Sequence, residues 1–295
     1  MSYTKRKLEE LNVLDDFLLS ALAADEEEGE EFCRELLSIL LQREIGQVKV
    51  ITQKTIMALT PEHRGIRLDV EVNEEKSAEV NGIQALNVYD IESHLQNNTD
   101  FPRHNRFYQA KIDGRYLKSG EKDFRYMPDL YVITITDYDP FGKDYMVYTV
   151  HNKCEEDPDL EYDDGLKFYY FNTTGTKGGN TEIRELLLYL KDSKEKNAVN
   201  ENLKKIHQYV NKIKLRPEVR EEYMRFDEII EWERADAKTE TKAEIILQIL
   251  ENYGEIPESL KERVMKQKDD EILDKMIRTA VKVKNIEQFE KKFAL

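Results

Sequence analysis

Three titratable side chains alternate along LNVYDIESH, residues 86–94: Asp90, Glu92 and His94. On an extended strand such alternation puts them on one face, because successive side chains point to opposite sides. A fourth candidate, Asp69, lies in IRLDVEV, residues 66–72. There Ile66, Leu68, Val70 and Val72 share one face, and Arg67, Asp69 and Glu71 share the other. If the polar faces of the two strands coincide, the carboxylates of Asp69 and Glu92 converge. Carboxylate oxygens with open positions beside them suit Mg2+ or Mn2+. Such an ion activates water and polarises a phosphoryl oxygen. His94, two residues past Glu92, could orient or deprotonate that water, or bind a phosphate when protonated. Asp90 could offer one more metal contact. A solvated polar face on an antiparallel sheet would account for the same residue types with no chemistry at all.

The surrounding patterns give the elements that must position these groups. QVKVITQKTIMALT (47–60) and IRLDVEV alternate, and Pro61 to Gly65 supplies turn residues, so an antiparallel hairpin is expected. Asn81-Gly82 marks a second turn before the 86–94 strand. A helix over 102–117 follows, with Pro102 early in it and Asp100 as cap candidate. Between 101 and 120, Arg103, Arg106, Lys111, Arg115 and Lys118 face a single acid, Asp113. A local basic strip of this kind can hold a phosphodiester on an acidic protein. DLYVITITDYDPFG (129–142) is the most apolar stretch, so a central strand ending in a turn is expected. Two more strands are expected over 144–152 and 166–173, then a flexible loop, TGTKGGN, and a helix from Thr181. Upstream, Leu11, Leu14, Leu18 and Leu22 mark a helix, and Phe32, Cys33, Leu36, Leu37, Leu40 and Leu41 form one face of another over 31–43.

From about residue 196 the patterns are helical only. Val199, Leu203, Ile206, Val210 and Ile213 give one apolar stripe. Met224, Ile229, Ile230 and the single tryptophan, Trp232, give another. The expected organisation is an α/β domain over 1–195 and a helical region over 196–295. Net charge is −15, which argues against a simple nucleic-acid binder with a basic surface. Two cysteines, Cys33 and Cys154, suggest reduced thiols and no disulfide framework. No leader and no apolar run of about 18 residues stands out, so a soluble, cytoplasmic protein without membrane contact is expected. His63, His104, His151 and His207 show no metal-ligand spacing and read as structural or surface residues. TGTKGGN lacks the spacing of a phosphate-binding loop, and no nucleophile-elbow motif is present.

The order of helix, hairpin with Asp69, strand with Glu92, basic helix and apolar strand resembles the PD-(D/E)XK nuclease superfamily. More closely it resembles the Rpn-type family of recombination-promoting, transposase-like nucleases. The residues that carry the likeness are IRLDVEV (66–72), VYDIES (88–93), RHNRFYQAKID (103–113), LYVITITDYDPFG (130–142) and YMVYTVHNKCEE (145–156). It covers about residues 30–190, and the tail from NYGEIPESLKERV onward is similar more weakly. The resemblance implies a restriction-endonuclease-like mixed sheet flanked by helices. It implies that Asp69 and Glu92 are metal ligands for Mg2+ or Mn2+, with His94 where the superfamily has lysine and this family commonly glutamine. Gln96 is the alternative for that place. Arg106, Gln109 and Lys111 of the basic helix would touch substrate. Family members often carry an acid on the first helix; Glu35 is the nearest candidate here, with Ser38 the alternative occupant of that position.

The expected activity is metal-dependent cleavage of DNA, linked to recombination or mobile elements, with the helical tail pairing two copies or docking DNA. Two other readings remain at this point. One is a nuclease-fold module that binds DNA without cutting it. The other is an interaction protein whose helical tail does the work.

Overall fold

The computed structural model describes residues 6–56, 66–80, 83–95, 100–116, 123–124 and 127–293. Within these, side chains are described except at 53–56, 66–69, 77–80, 83–85, 229–230 and 233–234. The chain divides into two compact units, Met1–Arg220 and Glu221–Leu295.

The first unit is α/β. Its elements are α1 (Asp16–Ala23), α2 (Gly29–Leu41), β1 (Val48–Ile56), β2 (Ile66–Val80), β3 (Ile83–His94), α3 (Phe101–Asp113), β4 (Asp129–Thr136), β5 (Val147–Val150), β6 (Leu166–Asn172), α4 (Thr181–Lys191) and α5 (Glu201–Leu215). The strands form a six-stranded mixed sheet in the order β1-β2-β3-β4-β6-β5. β1, β2 and β3 are antiparallel neighbours, β3–β4 and β4–β6 are parallel, and β5 pairs antiparallel with β6. A parallel pair needs a crossover, and α3 makes it between β3 and β4. Expected and observed elements agree in kind along this stretch. The 129–142 strand is internal, as its apolar run predicts: Leu130 and Val132 to Thr136 are buried.

One face of the sheet packs on α3 through Val88, Leu130, Val132 and Ile112. The other carries Val70, Val72, Tyr89, Ile91 and Ile133, all buried. A buried carboxylate, Glu74, sits near this second face. Gly46 N–H and Asn87 Nδ2 donate to it at 2.7 and 2.8 Å, the Tyr89 hydroxyl donates to it, and the Arg43 guanidinium lies at 3.2 Å.

Two expectations need correction. The boundary expected at 195/196 falls after Arg220, because α5 belongs to the first unit. The Tyr209 hydroxyl donates to Leu22 O at 2.6 Å, and Lys214 Nζ donates to Leu11 O at 2.6 Å. A helix-only pattern identifies helices but not the layer they join. The expected flexible loop TGTKGGN is pinned by backbone pairing: Met146 N–H donates to Lys177 O at 2.8 Å and Lys177 N–H to Asp144 O at 2.9 Å.

The second unit holds most of α6 (Pro217–Glu251), then α7 (Glu258–Lys266), α8 (Asp270–Ala280) and α9 (Ile286–Lys292). Its core comprises Ala243, Ile246, Leu250, Ile256, Leu260, Val264, Leu273, Met276, Ala280, Val283 and Phe289. Met224 and Trp232, expected in a buried stripe, are 58% and 69% exposed on α6. Asp269 caps α8, accepting from Glu271 N–H and Ile272 N–H, and Asn285 caps α9, accepting from Gln288 N–H. Among the described residues no helix is long and apolar enough to cross a membrane.

Burial opposes ionisation of Glu74, but the hydrogen bonds from Tyr89, Gly46 and Asn87 and the charge of Arg43 outweigh it, so its carboxyl lies below the ordinary value of 4.5. A depressed carboxyl contributes stability above its unfolded-state value and loses it as pH falls through the folded-state value. Acid unfolding below about pH 4.5 is therefore expected to be steeper in the native chain than in Glu74→Gln, measured as Tm against pH.

Candidate metal centre

The β2–β3 register decides which acids meet. Val70 pairs with Ile91 and Glu71 with Asp90. In sequence, Asp69 precedes Val70 on β2 and Glu92 follows Ile91 on β3, so both acids adjoin the last pair of this ladder. The Asp69 side chain lies outside the described residues, as do Gln96, His63, Lys118 and the Asn81-Gly82 turn. Across the parallel β3–β4 pair, Glu92 is level with Thr134 and His94 with Thr136. The centre thus stands at the carboxyl ends of two parallel strands, where open α/β sheets place their ligands.

Glu92 is 5% exposed. His94 Nε2 lies 3.2 Å from Glu92 Oε2. Six residues separate His94 from Phe101, the first residue of α3, so the helix starts beside the strand end. The Phe101 ring stands edge-on to His94 with centroids 4.9 Å apart. His104, in the first turn of α3, stands edge-on to the same imidazole at 5.5 Å. Ligand atoms of Glu92, His94 and His104 all lie within 4.8 Å of one another. His104 was expected to be structural or superficial. Its distance of ten residues from His94 matches no local ligand motif, and only the return of α3 onto β4 brings the two rings together.

The surroundings orient this group. His104 Nδ1 is 3.1 Å from Asn105 Oδ1, and Asn105 Nδ2 donates to Thr134 Oγ1 at 3.0 Å. Asn105 is buried, so this chain ties α3 to β4. On the opposite side, Ser93 Oγ donates to Asp16 Oδ1 at 2.7 Å. Part of Asp16 meets solvent, yet desolvation by the surrounding protein raises its carboxyl above the usual range, offset in part by the Ser93 hydrogen bond and the nearby His94. The helix acid close to the centre is therefore Asp16 of α1. Glu35, the expected candidate, is on α2, where it lines a cavity with Arg34, Ser38, Ile39, Ile45 and Asn202. Ser38 Oγ donates to Arg43 O at 2.8 Å and closes the end of α2. No sequence signal pointed to Asp16, because its link to the site runs through Ser93, 77 residues away.

Deeper along the same strands, Glu71 and Asp90 have no exposed surface. Arg115, just past α3, forms an ion pair with Glu71 at 2.5 Å. Burial and the adjacent Glu71 carboxylate push the Tyr116 hydroxyl up to about 12. Arg115 was counted in the basic strip; it is turned inward and holds a buried acid instead. The strip that remains on the described part of α3 is smaller. Arg103 and Arg106 are exposed, Lys111 Nζ lies 5.4 Å from the Phe107 ring centroid, and Gln109 Nε2 donates to Asp113 Oδ2 at 2.6 Å. The geometry brings Glu92, His94 and His104 together, and places Arg106, Gln109 and Lys111 further along α3, outside that cluster.

Set against protein-family models, curated proteins and solved structures, the chain matches none of them.

Removing one partner of a buried ion pair leaves an uncompensated charge and costs about 3–5 kcal/mol. Arg115→Leu is accordingly expected to lower unfolding free energy by roughly 3 kcal/mol. Adding Glu71→Gln should restore part of it, as read by urea denaturation of the single and double variants.

Proposed function

We propose that the first unit is a metal-dependent phosphodiester hydrolase acting on DNA. The observation that carries this reading is the buried Glu92 at the carboxyl end of β3, beside His94, on a strand whose antiparallel neighbour β2 bears Asp69. The order of elements from α2 to β4, with two acids on adjacent strands, supports the likeness to the PD-(D/E)XK nucleases.

Asp69 and Glu92 are the residues that would hold Mg2+ or Mn2+. A divalent ion there would polarise the phosphoryl oxygen and make water a better nucleophile. Two carboxylates fit such an ion by the chemistry of their oxygens. Glu92 is nearly removed from solvent, so its charge acts through a low local dielectric. His94 orients the attacking water or the scissile phosphate, and Phe101 limits water on that side. The amino end of α3 is the positive end of its dipole and favours an anion beside it. Exposed Arg103 and Arg106 add cationic charge for the nucleic-acid backbone, with Gln109 and Lys111 further along the helix. Contacts of this kind bind phosphate and leave base sequence unread. Pairing of two chains through the helical region would allow both strands to be cut.

A second reading is a nuclease-fold module that binds DNA without cutting. The close pairing of His94 with Glu92 favours it, since an imidazole engaged there is a weaker substitute for a free lysine. The two separate in one assay with supercoiled plasmid and Mg2+ or Mn2+. Nicking or linearisation that falls at least about 100-fold in Asp69→Ala and in Glu92→Ala is expected. Plasmid that stays intact while gel shifts still report binding would favour the non-cutting module.

A further inference from the structure

The grouping of one carboxylate with two imidazoles is chemically different from a magnesium site. Mg2+ takes oxygen ligands and keeps its water, whereas imidazole suits zinc, nickel, cobalt and related first-row ions. We propose that Glu92, His94 and His104 form a binding site for a transition-metal ion of the Zn2+ class, joining the end of β3 to the first turn of α3. The proposal takes Glu92 from the hydrolase reading of the same site and otherwise stands on the two histidines.

The distances suit such a site. In a tetrahedral centre with bonds of about 2.0–2.1 Å, ligand atoms sit roughly 3.3 Å apart. Glu92 Oε2 and His94 Nε2 are already 3.2 Å apart. All three ligand atoms fall within 4.8 Å, so binding requires a side-chain rotation that draws the widest pair closer by about 1.5 Å. Metal-binding histidines commonly donate their other ring N–H to a second group, which fixes the tautomer and ring direction. His104 has that partner: Nδ1–H can donate to Asn105 Oδ1 at 3.1 Å, leaving Nε2 with its lone pair. Asn105 is itself held by Thr134, so the orienting group is anchored to a central strand. Aromatic rings wall the histidines, with Phe101 at 4.9 Å from His94 and Tyr108 at 4.1 Å from His104 between centroids. With three protein ligands, a fourth position stays open to water or to a phosphate oxygen, as in catalytic zinc centres.

The ion would also do mechanical work. α3 carries Arg103 and Arg106, and a bond from His104 to the ion would lock that helix against the strand bearing Glu92. This explains why His94 can stand where a lysine is expected: it becomes a ligand, and its neutral form is the one required.

The test is calorimetric titration of the full chain with Zn2+ in excess Mg2+, together with visible absorption after Co2+ addition. One equivalent bound, with Co2+ bands typical of nitrogen ligation, is expected. Losing only a group that hydrogen-bonds to a ligand weakens metal sites about 10–100-fold, so His104→Ala and Glu92→Gln should each cost at least that. His151→Ala, on an exposed residue, should leave affinity unchanged. Circular dichroism checks that each variant is folded, and Asn105→Ala, expected to bind more weakly by about tenfold, probes the site without removing a ligand. Zn2+ binding that survives in both His104→Ala and Glu92→Gln, or no binding at all, overturns the proposal. Plasmid cleavage in Mg2+ run in parallel keeps the readings apart. Cleavage that is indifferent to His104→Ala, in a chain that binds no Zn2+, sinks this site and leaves the hydrolase. Zn2+ bound as expected, with no cleavage under any ion, does the reverse.

Discussion

Buried carboxylates on the α3 side of the sheet are the constraint around which the first unit is built. Glu71 and Asp90 have no exposed surface and Glu92 almost none. An ionised group removed from water needs partners, or it shifts its protonation or destabilises the fold. α3 supplies compensation from both ends. Beyond its carboxyl end, Arg115 pairs with Glu71; in its first turn, His104 approaches Glu92 and His94. A single crossover helix therefore both closes the parallel pair β3–β4 and brings Arg115 to Glu71 and His104 to Glu92.

This arrangement separates acids that look equivalent in sequence. Glu71 and Asp90 lie deeper, and Glu71 is committed to Arg115. Glu92 lies nearer the strand end, beside two histidines. The same face is structural at one end and chemically available at the other, because α3 covers the interior of the pair and leaves the carboxyl ends of the strands at its amino end. The proposed hydrolase and the proposed transition-metal site both draw on that second end.

The opposite face shows a different solution to the same problem. Glu74 is surrounded by donors from two segments: Arg43 and Gly46 in the connection between α2 and β1, and Asn87 and Tyr89 on β3. Its pKa is lowered because the donors outnumber what desolvation takes away. Near the centre, Asp16 goes the other way: one hydrogen bond from Ser93 and the nearby His94 do not offset desolvation.

The sequence by itself determined the local elements and the candidate strand pair. Alternation in 66–72 and 86–94 specified strands and the shared face of Asp90, Glu92 and His94, because a period of two permits no other arrangement. The apolar run 130–136 specified an internal strand for the same kind of reason. What the tertiary structure alone decided is which residues from other elements arrive at that face. His104 and Asn105 carry no local signature; they arrive because α3 crosses from β3 to β4, while Asp16 of α1 meets Ser93 on the opposite side of β3. Arg115 looked like surface charge until the buried Glu71 claimed it. Sequence distance says nothing about such encounters, since a helix presents only one stripe to a sheet and the register of that contact is fixed by packing across the whole layer.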